Sequence, residues 1–340
     1  KNITADNATH TPSTTTTTTT SDMSLASTLN KPPLVLAAGA VIAGGVPLLP
    51  IGALSVGLLQ AANILSFAVN VASVSVPGRL DGAQQDAQVK QGVLNPSEAS
   101  SLTGGRSSPG SGTNGRDRII EQRRLRSLVQ PSGWAFSIWG LIYLGESAFC
   151  VAQFIDSTPV PAMLPEVTAP FVAANLLQSL WCASFRPSYN EGWHKYVSAA
   201  MLGGTAYSLS QIPFDVMSSS WFFVPLVAHF GWTTAATLVN LNSAVSAEES
   251  VSDRVLVGLG HGSATVATAL GVSLTALSLS TPAYGLTIAW ALLAVGSNPK
   301  LDPASRAGND VLETGAKLQR MLCYSGSALC AAASLYSIFV

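Results

Sequence analysis

Four side chains in the middle of the chain fall on one helical stripe. Within Pro131-Ser-Gly-Trp-Ala-Phe-Ser-Ile-Trp-Gly-Leu-Ile-Tyr-Leu-Gly-Glu146, the residues Phe136, Trp139, Tyr143 and Glu146 follow at steps of three, four and three, the spacing of a single face. Trp134 precedes them, and Pro131 suits a first helical turn. Two later segments carry comparable groups: Asn175, Gln178, Trp181 and Phe185 share one face, and His229, Trp232, Ala236 and Asn240 share another. Aromatic rings beside a carboxylate, amides and an imidazole are the chemistry of a pocket for a flat apolar ligand with a polar handle. A neutral imidazole such as His229 can also serve as axial ligand to the metal of haem or chlorophyll. The competing reading is packing: aromatic stripes usually fill cores, and buried amides often join helices. His261 sits among small residues in Gly258-Leu-Gly-His-Gly262 and reads as a packing histidine.

The elements that position these residues are membrane helices. The 340 residues are 48% hydrophobic and only 10% charged, with a mean hydropathy of +0.36. Soluble domains carry about 25% charged residues, so the chain reads as an all-α integral membrane protein. A Glu at membrane depth then argues for function, because an ionisable group there is costly. The net charge of −1 gives no case for nucleic acid. Cys150, Cys182, Cys323 and Cys330 all lie in apolar segments without metal-ligand spacing, so neither a disulfide framework nor a metal centre is expected. No nucleophile elbow, zincin motif or phosphate-binding loop is present, and nothing points to an enzyme.

Residues 1–30 form a Thr-rich tail with seven consecutive threonines, Thr14 to Thr20, and sequons at Asn2 and Asn7; such a composition predicts disorder. The first residue is Lys1, which fits a removed leader or a fragment. Residues 31–50 are apolar but broken by Pro47 and Pro50. The piece 34–46 is too short to span about 30 Å of hydrocarbon and reads as a re-entrant or interfacial arm. Residues 77–130 form a polar loop ending in a basic stretch, Arg116 to Arg126, suited to a helix on a membrane surface. Apolar segments at 51–76, 132–155, 168–186, 194–212, 221–245, 255–279, 282–297 and 318–340 predict eight spans.

Charge orders these spans. Fifteen of the 17 Lys and Arg residues fall at the connections after the first, third, fifth and seventh spans; the other two are Lys1 and Lys31. The positive-inside rule places those connections in the cytosol or its equivalent, and both termini opposite.

The motifs resemble the translocator-protein (TspO) family, also called tryptophan-rich sensory proteins. The resemblance rests on Pro131 to Tyr143, on Asn175-Leu-Leu-Gln178-Ser-Leu-Trp181, and on Gly231-Trp232-Thr-Thr-Ala-Ala236-Thr-Leu-Val-Asn240 with its W-x-x-x-A-x-x-x-N spacing. Ala283-Tyr284 to Trp290 is similar to the extra helices of the family's longer branch. Gln178 stands where many members carry Trp, and Ala228-His229 where they carry Pro-Tyr. The resemblance implies a five-helix core over 51–245 and about three additional transmembrane helices over 246–340. It implies a cavity for porphyrin, haem, a chlorophyll-type tetrapyrrole, a sterol or another planar lipophile, used for sensing or trafficking, with no cofactor required for folding. On that reading Trp134, Phe136, Trp139, Tyr143, Trp181 and Trp232 wall the site. Glu146, Asn175, Gln178, His229 and Asn240 supply its polar contacts. The rival readings are a transporter and a structural or pigment-associated subunit, as a homo-oligomer or within a larger membrane complex. A plastid, mitochondrial or secretory-pathway membrane would each fit.

Overall fold

The computed structural model describes residues 28–78, 115–278, 282–306 and 308–339. The Thr-rich tail through residue 27, with both sequons, and most of the polar loop lie outside the described residues. Among the described residues all regular structure is helical. The helices are α1 Pro32–Gly45, α2 Val56–Gly78, α3 Gly115–Arg124, α4 Ile138–Ala152, α5 Val160–Trp181 and α6 Val197–Leu209. They continue as α7 Phe214–Ser218, α8 Val224–Ser246, α9 Asp253–Ser278, α10 Pro282–Gly296 and α11 Asp310–Phe339.

All eight apolar segments are helical, and in six of them a described helix is long and apolar enough to cross a membrane. The other two contain α6 and α10. With 13 residues, α6 rises about 20 Å, and α10, with 15, rises about 22 Å. A short helix is tolerated where protein surrounds it. Helix α10 is apolar on every side and packs against α8, α9 and α11, leaving Leu286 and Leu293, seven residues apart, on one exposed strip. The third apolar segment starts earlier than its hydropathy suggests. Helix α5 begins at Val160, with Pro161 in its first turn and Pro165 and Pro170 inside it. Exposed Glu166 masks that start in the sequence.

Helix α8 is the hub: α4, α6, α9 and α10 all pack on it, while α5 lies between α2 and α6. Helix α1 wedges against α5 and α6, with Val35 buried beside Leu177 and Met201. A methyl group at Gly39 would meet the flexible tip of the Met201 side chain, which would have to swing aside. At the other end of the bundle α9, α10 and α11 cross closely. Gly285 lies against Ser334 and Thr275, and Gly326 against Thr268, the small-residue packing typical of helices in lipid. Gly203 and Gly204 face Thr237 and Leu177 inside the bundle, whereas Gly258 and Gly262 face open space.

The basic connections meet at one end. Arg123 pairs with Glu249 at 3.1 Å, Arg126 with Asp253 at 2.7 Å, and Lys195 with Glu248 at 2.9 Å. Arg306 donates to the carbonyls of Arg126 and Ser127. The C-terminal arginines of α3 are thus turned onto the protein rather than spread along a membrane surface. Beyond α3 the chain dips inward: Ser127, Leu128 and Val129 are buried, and Leu128 sits against Gly260 and Gly315.

Candidate functional site

The aromatic stripe of α4 faces α8. Trp139 lies edge-on to Trp232 at 6.1 Å and to His229 at 5.5 Å, and it stacks on Tyr143 at 5.3 Å. Phe136 meets Trp232 edge-on at 5.9 Å. One helical turn beyond Tyr143, Glu146 Oε1 lies 2.7 Å from His229 Nδ1, and both side chains are fully buried. Helices α4 and α8 can come this close because Gly145 lies against the Pro225 ring. Thr233 donates to the carbonyl of His229, which spends its hydroxyl within the helix.

Three polar atoms of this cluster are buried without a hydrogen-bond partner: Glu146 Oε2, His229 Nε2 and Trp232 Nε1. Unpartnered buried groups carry a desolvation cost of about 1–3 kcal/mol each. In the neutral tautomer with its hydrogen on Nδ1, His229 donates to Glu146 Oε1, and the Nε2 lone pair is left to ligate or accept. That carboxylate–histidine pairing is the arrangement by which a second shell fixes the tautomer of a metal-binding imidazole.

Asn175 and Gln178 join the same site from α5. Gln178 Nε2 donates to the Tyr143 hydroxyl at 2.8 Å. Their oxygens are held by a residue that the motifs did not single out: Asn70 Nδ2 on α2 donates to Asn175 Oδ1 at 2.8 Å and to Gln178 Oε1 at 3.1 Å. One heptad earlier Asn63 donates to Thr168 Oγ1 and to Gln153 Oε1, and Gln60 donates to the Gln153 carbonyl at 2.6 Å. Phe67, between the two asparagines, packs near Tyr143 and Phe171. The signal was present in the sequence as Asn63 and Asn70, seven residues apart in an otherwise apolar helix.

The remaining candidates lie apart. Trp181 packs on Phe185 and donates from Nε1 to Ser198 Oγ, which donates to Asn240 Oδ1 at 2.6 Å. Trp134 packs edge-on to Trp290 at 4.6 Å, and Trp290 Nε1 donates to the Ala135 carbonyl. His261 Nε2 contacts the Gly315 carbonyl at 3.0 Å, a helix-joining contact. No cluster of three or more metal-ligating side chains occurs among the described residues. Phe136, Trp139, Tyr143 and Trp232 close on one another ring to ring. The half-buried flank of Trp139 and Tyr143 looks toward α2, which touches α4 only lightly.

These features define a multi-pass helical membrane protein with an aromatic and polar cluster between its helices. A family profile described as TSPO-like protein matches residues 112–308, more than half of the chain, and the chain belongs to that family. The matched stretch runs from α3 through α10; α1, α2 and α11 lie outside it. No curated protein and no solved structure matches the chain.

Proposed function

We propose that the protein binds a planar aromatic lipophile, a tetrapyrrole foremost, on the Trp139–Tyr143 flank between α2 and α4. The observation that carries the reading is the trio of buried unpartnered atoms, Glu146 Oε2, His229 Nε2 and Trp232 Nε1, on the paired Glu146–His229 side chains and on the Trp232 ring that, like His229, meets Trp139 edge-on. A ligand with an apolar face and polar substituents matches that wall: rings stack on Trp139, and a donor, an acceptor or a metal meets the three atoms. Of the residues present, His229, oriented by Glu146, would hold the metal of a metallated tetrapyrrole through its unpartnered Nε2. A bound metal would supply Lewis acidity or redox chemistry; the chain itself positions and desolvates the ring.

The test is a titration of the full chain, purified in detergent, with protoporphyrin IX and with haemin, read by tryptophan fluorescence. Quenching is expected. Trp139→Ala should weaken affinity about tenfold or more, since stacking contributes about 0.5–1.5 kcal/mol beyond area burial. His229→Ala should lose haemin while retaining metal-free porphyrin. Saturating porphyrin without quenching would return the cluster to packing and favour the structural-subunit reading.

A further inference from the structure

Composition casts residues 31–50 as an interfacial arm, yet the contacts of this segment follow α5 from one end toward the other. At the basic end the Tyr189 hydroxyl donates to the Leu29 carbonyl at 3.0 Å. Tyr189 lies in the connection between α5 and α6, the one that carries Arg186 and Lys195. Further along, Gly39 lies against Leu177 and Met201. Gly52, in the 3-10 turn Ile51–Ala53, lies against the Pro165 carbonyl in the second turn of α5. Leu177 and Pro165 stand about 18 Å apart along that helix, so the segment runs antiparallel to α5 and away from the basic end. Helix α2 then returns beside α5. Asn63 bonds Thr168 and Asn70 bonds Asn175, both pairs 105 residues apart, the constant offset of parallel neighbours.

Length and charge agree with a crossing. The 14 residues of α1 rise about 21 Å, and the 3-10 turn Val46–Leu48 adds about 6 Å, against ~30 Å of hydrocarbon. Leu34 and Val41, seven residues apart, are exposed, while Val35 is buried, which gives α1 a lipid face and a bundle face. Pro47 and Pro50 fall where the chain turns between α1 and α2. The Leu29–Tyr189 bond also brings Lys31 to the basic end. Residues 1–27 contain no apolar stretch that could cross back, so Lys1 follows. All 17 Lys and Arg residues then obey the positive-inside rule, with no exception left.

We propose that α1 is a further transmembrane span, ahead of the eight others, and that the chain enters it from the basic, cytosol-equivalent side. The N-terminal tail then faces the same compartment as Arg126 and Arg306. The sequons at Asn2 and Asn7 lie on the side where N-glycans are not attached. The assignment uses neither Trp139 nor His229 and is independent of ligand binding.

The experiment places single cysteines at Asn30 and Ser55, both exposed, in the full chain. Sealed vesicles of uniform orientation are treated with a membrane-impermeant maleimide before and after permeabilisation. Ser252→Cys marks the basic side and Thr158→Cys the opposite one, and the parent chain supplies the background of its four native cysteines. Asn30→Cys should react from the Ser252 side and Ser55→Cys from the Thr158 side. Reaction of both from the Thr158 side would mean an interfacial arm and overturns the crossing; any other pattern overturns it as well.

Discussion

Glu146 and His229 form a fully buried pair 2.7 Å apart across the α4–α8 interface, 83 residues apart in the chain. Each is costly in lipid alone, and each is the other's principal partner. Removing one partner of a buried pair typically costs about 3–5 kcal/mol, whereas replacing both by apolar groups is often neutral. His229→Phe should therefore lower thermal stability in detergent sharply, and Glu146→Leu combined with His229→Phe should recover most of the loss. Additive losses in the double variant would show that the two residues do not act as a pair.

Gly145 permits that contact. A methyl group there would meet the Pro225 ring, which cannot swing aside as a flexible side chain could. Gly145→Ala should cost about 1–3 kcal/mol, as overpacking does, and should diminish porphyrin quenching along with Glu146–His229 contact. Gly140→Ala, with open space around it, should leave both unchanged. Equal behaviour of the two variants would dissociate the glycine from the site.

Asn70 couples α2 to the candidate site. Asn70→Ala leaves the oxygens of Asn175 and Gln178 without their donor; hydrogen bonds between membrane helices average about 0.6 kcal/mol each, so a loss of about 1–2 kcal/mol is expected. The Gln178–Tyr143 bond should loosen as well, visible as weaker ligand affinity. Unchanged stability and affinity would mean that α2 is held by its apolar face alone.

Trp290 separates architecture from binding. Trp290→Phe removes the bond to the Ala135 carbonyl and should cost about 1 kcal/mol, with porphyrin affinity within about twofold of the parent by the same energy scale. An affinity loss as large as that of Trp139→Ala would extend the site to the Trp134–Trp290 corner.

The charge pattern predicts sidedness. A cysteine at Ser252, beside the basic connections, should react with a membrane-impermeant maleimide only from the cytosolic or equivalent side, and one at Thr158, in the opposite connection, only from the other. Labelling of both from one side would break the alternation.

Helical periodicity made the inner half of the site legible. Trp139, Tyr143 and Glu146 follow at steps of four and three, whose rotations of about +40° and −60° largely cancel, so their common face survives folding. The longer steps do not. Eight residues from Trp232 to Asn240 rotate about 80°, and Asn240 turns toward α6 and Ser198 instead of α4. Trp181 is likewise offset by about 120° from Asn175 and points to the same hydroxyl. Trp134 belongs to the 3-10 turn Gly133–Ser137, where a 3.6-residue repeat does not apply. The contribution of α2 escaped because motif matching concentrates on aromatic signatures, while Asn63 and Asn70 act through partners more than 100 residues away.

The inward dip before α4 bears on biosynthesis. Leu128 is seated against Gly260 and Gly315, and the Ala135 carbonyl waits for Trp290, 155 residues downstream. When α4 leaves the ribosome the surfaces that anchor its entry do not yet exist. Translation of the last third thus completes the entry to α4, and a stop codon before α9 would leave Leu128 and the Ala135 carbonyl without these partners.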